Sequence, residues 1–110
     1  MDNFIKVAEV DEITQGHGKV VEIEGRTIAV FNSSGTFYAI DNTCPHKGGP
    51  LGEGVVVGNT VICPWHRWTF DVTNGRCTIN PIARVACFET KVEGSDVLIN
   101  HKDTKDTKNL

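Results

Sequence analysis

KVVEIEGRTIAVF, residues 19–31, reads as a β-hairpin. Lys19 to Ile23 is rich in β-branched residues, Glu24-Gly25 is a tight turn, and Thr27 to Phe31 reads as the returning strand. The pattern repeats outward from there. Asn32-Ser33-Ser34-Gly35 is a four-residue loop of turn formers leading into Thr36–Ile40. Gly58-Asn59 separates Val55–Val57 from Thr60–Ile62 in the same way, and Thr73-Asn74-Gly75 closes Trp68–Val72. Phe88–Val92 alternates apolar and polar residues, the period of a half-buried strand; Glu93–Asp96 turns it and Val97–Ile99 can pair back. No stretch of ten or more residues carries a helical apolar stripe. The expectation is an all-β sandwich or barrel of short antiparallel strands.

At 110 residues the chain suits one domain with a modest core, expected over residues 1–100. The segment HKDTKDTKNL, residues 101–110, is almost devoid of apolar side chains and is expected to fray. The apolar runs are far too short to span a bilayer, and MDNFIKVAEV lacks the pattern of a signal peptide. A cytoplasmic protein acting without a membrane is therefore expected. A net charge of −3 with no basic patch speaks against a nucleic-acid partner.

In that setting four cysteines read as metal ligands or free thiols rather than as disulfides. Two of them have a histidine close by: Cys44-x-His46 and, after sixteen intervening residues, Cys63-x-x-His66. Chance placement of core thiols and surface histidines explains this poorly, because each cysteine is also followed by proline. A structural zinc site of two cysteines and two histidines is an alternative, although such sites usually pair like ligands within each half. The third reading is a two-iron cluster in which the cysteines hold one iron and the histidines the other.

The stretches CPHKGGPLGEG, residues 44–54, and CPWHRWTFDVTNG, residues 63–75, resemble the two cluster-binding loops of the Rieske family. The resemblance covers roughly a third of the chain. It implies a Rieske-like all-β fold with a two-loop cluster-binding subdomain at about residues 42–83, holding one 2Fe–2S cluster on Cys44, His46, Cys63 and His66. Two thiolates cancel the formal charge of two ferric ions and two sulfides, and neutral imidazoles add none. Reduction then creates a single negative charge, which places such centres at about −150 to +300 mV. The Rieske proteins of respiratory bc complexes carry a disulfide beside the cluster and a serine two residues after the second histidine. The matching positions here are Gly49, Trp65 and Trp68, so a potential near the low end is expected, roughly −150 mV or somewhat above.

The resemblance also implies a one-electron carrier rather than an enzyme. It would receive electrons from a flavin reductase and pass them to a terminal oxygenase, such as an aromatic-ring dioxygenase. The small subunit of an assimilatory nitrite reductase is the second possibility, since the first motif resembles that class equally. Gly48, Gly49 and Gly52 are expected to let backbone N–H groups approach the cluster sulfides. Pro81 resembles part of a third, covering loop. Cys77 and Cys87 read as free thiols. His17 and His101 read as solvated, and Trp65, Trp68 and Phe70 as core or as a wall that shields the cluster.

Overall fold

In the computed structural model the described residues are 4–45, 48–65, 67–80 and 82–104. Among them are nine strands: Phe4–Glu9 (β1), Gly18–Ile23 (β2), Arg26–Ser33 (β3), Thr36–Asp41 (β4), Val55–Val57 (β5), Thr60–Ile62 (β6), Thr69–Asp71 (β7), Cys87–Glu93 (β8) and Asp96–Thr104 (β9). All pairings are antiparallel. Six strands form one sheet in the order β1-β9-β8-β4-β3-β2, and β5-β6-β7 form a second, smaller one. The all-β expectation holds, and among the described residues no helix is long and apolar enough to cross a membrane.

The opening hairpin turns through Glu24 and Gly25 at φ 53° and 81°, the left-handed pair that a two-residue turn between twisted strands requires. The next turn is shorter than its composition suggests. Asn32 and Ser33 pair with Phe37 and Thr36, so only Ser34 and Gly35 turn, at φ 55° and 88°. Asn32 is instead spent on tethers: its Oδ1 accepts the Gly35 N–H at 2.9 Å and its Nδ2 donates to the Ile13 carbonyl at 2.8 Å.

Ile28, Ala29, Val30 and Phe31 are all buried. Successive strand residues point to opposite faces, so β3 has core on both sides. Ile28 and Val30 join Ala8, Phe37, Ala39, Phe88, Val97 and Ile99 in one cluster. Ala29 and Phe31 join a second cluster with Ile40, Leu51, Val61, Phe70 and Val72, which fills the space between the large and the small sheet. Cys44 and Cys63 belong to this second cluster.

Two elements differ from the sequence reading. β1 was not anticipated; it pairs with β9, Ile5 opposite Ile99, and breaks its own period with a bulge between Lys6 and Ala8. A bulge shifts side chains across the sheet, which hides a strand from a period-two pattern. The tail expected to fray from residue 101 is in strand through Thr104, which stands opposite Phe88. Ladder hydrogen bonds come from the backbone, so a polar stretch next to β8 can join it. Residues 105–110 lie outside the described set.

Candidate metal centre

The first loop leaves β4 and folds back on itself. Thr43 bridges Pro50, the Cys44 N–H donates to the Gly49 carbonyl at 2.9 Å, and the Gly48 N–H donates to the Cys44 carbonyl at 2.7 Å. Gly48 adopts φ 78°, which closes this small ring. Buried Asn42 anchors the loop at its root. Its Oδ1 accepts the Gly52 N–H at 2.7 Å, and its carbonyl accepts the Leu51 N–H at 2.7 Å. Leu51, fully buried at the start of a single 3₁₀ turn over Leu51–Glu53, plugs the loop into the second core cluster. Asn42→Ala leaves the Gly52 N–H buried without its acceptor, at a cost of about 1–3 kcal/mol. Urea denaturation of the purified protein should show that loss with an unchanged m-value.

The second loop joins β6 to β7. It is pinned at its neck by the Cys63 N–H donating to the Trp68 carbonyl at 2.7 Å. Arg67 takes φ 62°, a left-handed conformation that a non-glycine residue adopts at some cost, and this reverses the chain between Trp65 and Trp68. A third loop runs beside these two. Arg76 bridges Arg84, the Cys77 N–H donates to the Ala83 carbonyl at 3.1 Å, and Asn80 Oδ1 accepts the Ile82 N–H at 3.1 Å. The Thr78 N–H donates to the Thr69 carbonyl at 2.9 Å, and the two threonine hydroxyls are also hydrogen-bonded, so this loop is fastened to β7.

The loops bring the thiols of Cys44 and Cys63 into contact, 1% and 0% exposed. Burial pushes the Cys63 thiol up from its usual value; the Trp65 backbone N–H donates to its sulfur and pulls it down, and the neighbouring Cys44 raises it again. Two adjacent buried thiols become good ligands once a cation replaces their protons. The Trp65 N–H is a donor already aimed at the Cys63 sulfur, the kind of outer contact that would stabilise a thiolate on iron. The donor set therefore fits one iron of a two-iron cluster. His46 and His66, expected to hold the other iron, lie outside the described residues, as do Lys47 and Pro81. Among the described residues no group of three or more His, Cys, Asp and Glu side chains is gathered.

Gly49 belongs at this contact: a Cβ there would lie 2.8 Å from Cys63 Sγ and 3.0 Å from Trp65 Cγ. Gly52 does not serve the role expected of it. A Cβ there would meet Val20 Cγ2 at 2.5 Å, and its N–H is held by Asn42, so this glycine lets the first loop pack on the main sheet. The aromatic residues divide. Phe70 is core, Trp68 packs against the thiol-bearing cluster from its edge, and Trp65 is 50% exposed. Cys77 and Cys87 are in no disulfide and are buried in the same cluster, and His17 is exposed. Asn42 and Leu51 are the positions that sequence reading overlooked. The Asn before the motif was a legible turn former, but its burial was not. An open groove of about 330 Å³ runs beside Cys63, between Glu53 and Arg67, with Gly54, Val55, Ile62 and Pro64 along it.

Residues 3–103 match the Rieske 2Fe–2S domain family. The ferredoxin component of a naphthalene 1,2-dioxygenase system from Pseudomonas aeruginosa is 31% identical over 100 residues, covering 90% of this chain and 96% of that protein. Among solved structures, the ferredoxin of carbazole 1,9a-dioxygenase from Nocardioides aromaticivorans IC177 superposes with a TM-score of 0.84 at 27% identity, over 92% of this chain and all of that one. A chain from a complex of reduced oxygenase and oxidised ferredoxin in carbazole 1,9a-dioxygenase matches with a TM-score of 0.81 at 27% identity, over 89% of this chain and 93% of that one. A nitrite reductase small subunit from Mycobacterium tuberculosis has a TM-score of 0.82 at 21% identity, a likeness of fold alone.

Proposed function

The chain belongs to the Rieske 2Fe–2S domain family, and from that membership we propose that it is the ferredoxin component of a multicomponent aromatic-ring oxygenase. In this reading a flavin-dependent reductase is its electron donor, a terminal oxygenase its acceptor, and the cytoplasm its setting. It carries a Rieske-type 2Fe–2S cluster, and the curated relatives it matches over nearly their whole length are ferredoxin components of dioxygenase systems, electron carriers rather than catalysts. The observation that carries the proposal is the contact of two buried thiols, Cys44 and Cys63, at the root of two loops tied down by backbone hydrogen bonds. Cys44 and Cys63 would hold one iron, and His46 and His66 the other, within a single domain whose cluster-binding part spans about residues 42–83.

The bound group supplies one-electron redox chemistry. The chain's own residues make that exchange quick and clean. Leu51, Phe70 and Trp68 keep water from the thiolate side, and rigid loops limit the movement that a change of charge would otherwise provoke. The similarity to ferredoxin components is in sequence as well as fold, whereas that to nitrite reductase small subunits is in fold alone. The oxygenase reading is therefore preferred.

Three measurements test it. Protein reconstituted anaerobically should hold two irons and two labile sulfides, and give an EPR spectrum of low average g when reduced. Voltammetry should find a potential of roughly −150 mV or somewhat above, and a value well above zero would show that the loops do more for the reduced state than Gly49, Trp65 and Trp68 suggest. Reduction by the reductase of a naphthalene dioxygenase system, followed by oxygenase turnover, completes the assignment. Stable co-purification with a sirohaem protein instead would move the chain to nitrite reduction.

A further inference from the structure

Gly49 stands beside both thiol-bearing residues. Its carbonyl accepts the Cys44 N–H at 2.9 Å, and a Cβ built on it would lie 2.8 Å from Cys63 Sγ. The same Cβ would lie 3.0 Å from Trp65 Cγ and 3.1 Å from Trp65 Cβ. The backbone does not call for glycine here: Gly48, next to it, has the left-handed φ that favours one, and Gly49 does not. Space calls for it. The place where a side chain would begin at residue 49 is already taken by the Cys63 sulfur and the inner edge of Trp65.

Trp65 stands at the tip of the second loop, where Pro64 and Arg67 are exposed and it is itself 50% exposed. An indole so placed forgoes much of the burial that a tryptophan can gain. Its Cβ and Cγ are nevertheless seated in a notch that the first loop makes by omitting a side chain. Among the described residues, backbone–backbone hydrogen bonds of the second loop secure only its neck, from the Cys63 N–H to the Trp68 carbonyl. Arg67, at φ 62°, turns the chain at a cost and does not by itself hold the tip in place. The seat on Gly49 supplies that hold.

What the seat holds is a peptide group. The Trp65 Cα carries both the side chain that rests on Gly49 and the N–H that donates to Cys63 Sγ. The backbone of Trp65 cannot turn without driving its ring into Gly49, so the N–H stays aimed at the sulfur. A hydrogen bond to a ligand sulfur is worth more to the reduced centre, which carries the added negative charge, than to the oxidised one. We propose that Trp65 is a positioning residue for electron transfer: seated on Gly49, its side chain fixes its own backbone N–H on the Cys63 sulfur and so favours the reduced state. This role rests on the carrier reading above and deepens it. It differs in sign from shielding. A wall that excludes water disfavours the charged, reduced state, so removing it eases reduction, whereas losing a positioned donor makes reduction harder.

One-electron reduction of the holoprotein tests this, titrated with dithionite and mediators and followed by circular dichroism. Amide hydrogen exchange at residue 65, read by mass spectrometry, accompanies it. Trp65→Ala should lower the equilibrium constant for reduction at least about threefold, the size of a modest change in one hydrogen bond. It should also speed exchange of that amide at least about tenfold. Trp65→Phe keeps Cβ, Cγ and a flat ring on the seat, and should match the wild type in both. An equilibrium constant that rises or stays level in Trp65→Ala overturns the proposal. A phenylalanine variant that behaves like alanine overturns it as well, because the seat would then not be what matters. Should Trp65→Ala hold no iron, Trp65→Leu stands in, with a fall as support and a rise or constancy as refutation. In the wild type the Trp65 amide must be protected although half of the residue is exposed, and free exchange there overturns the proposal whatever the variants do. Colourless, iron-free wild-type protein would overturn the carrier reading and this proposal together, whereas coloured protein with an unmoved equilibrium in Trp65→Ala overturns this proposal alone.

Discussion

Cys63→Ser and Cys44→Ser will each yield protein without its cluster, while Cys77→Ser will keep the full complement of iron. All four cysteines are buried and none is in a disulfide, so burial alone does not tell a ligand from a bystander. The distinction comes from place. Cys44 and Cys63 touch each other between two loops, and the sulfur of Cys63 accepts the Trp65 N–H. Cys77 pairs its backbone with Phe70 and Ala83 in the third loop. Disturbing merely the outer contacts of a metal ligand typically costs about 10–100-fold in affinity, so loss of a ligand itself should cost more. Iron and labile sulfide per chain, measured after anaerobic reconstitution, should drop at least about tenfold in either ligand variant. Their thermal midpoints should drop as well, because a group bound only by the native state stabilises it by mass action. Retention of iron by Cys63→Ser together with its loss from Cys77→Ser would reverse the ligand assignment.

Gly54→Ala should be strongly damaging although it lies outside the ligands. A Cβ at residue 54 would stand 2.1 Å from the Ile62 carbonyl oxygen and 3.1 Å from Val61 Cγ2. No rotamer relieves a clash with backbone, so the 3₁₀ turn and β6 must separate. Val61 is fully buried in the core beneath the thiols, and Cys63 follows β6 directly. Overpacking of this kind costs about 1–3 kcal/mol and occasionally more, and the backbone origin places Gly54→Ala at the upper end. In a domain of this size each kcal/mol shifts the midpoint by about 4–8 °C, so a drop of roughly 10–20 °C is expected in calorimetry. The cluster's visible absorbance should bleach faster on storage in air. Gly25→Ala serves as the control: nothing lies within 4 Å of its Cβ, so its cost comes from the φ of 81° alone. Equal midpoints for the two variants would show that the approach of residue 54 to Ile62 does not hold the loops together.

The local half of this protein was legible in its chain. Two-residue turns announce themselves through Glu24-Gly25 and Gly58-Asn59, because few residues accept a left-handed φ, and the strands between them follow from β-branched side chains. The Cys-His spacing is written in the chain too, and mixed thiol and imidazole at such short spacing points to a metal. What the chain by itself did not disclose depends on contacts between distant segments. Asn42 looks like any turn former until the fold buries it against Gly52, and Gly52 looks like a loop glycine until Val20 leaves room for nothing larger. β1 becomes a strand only because β9 is there to pair with, and its bulge erases the local pattern. Local backbone preference writes turns into sequence, whereas burial and close approach belong to the packed whole.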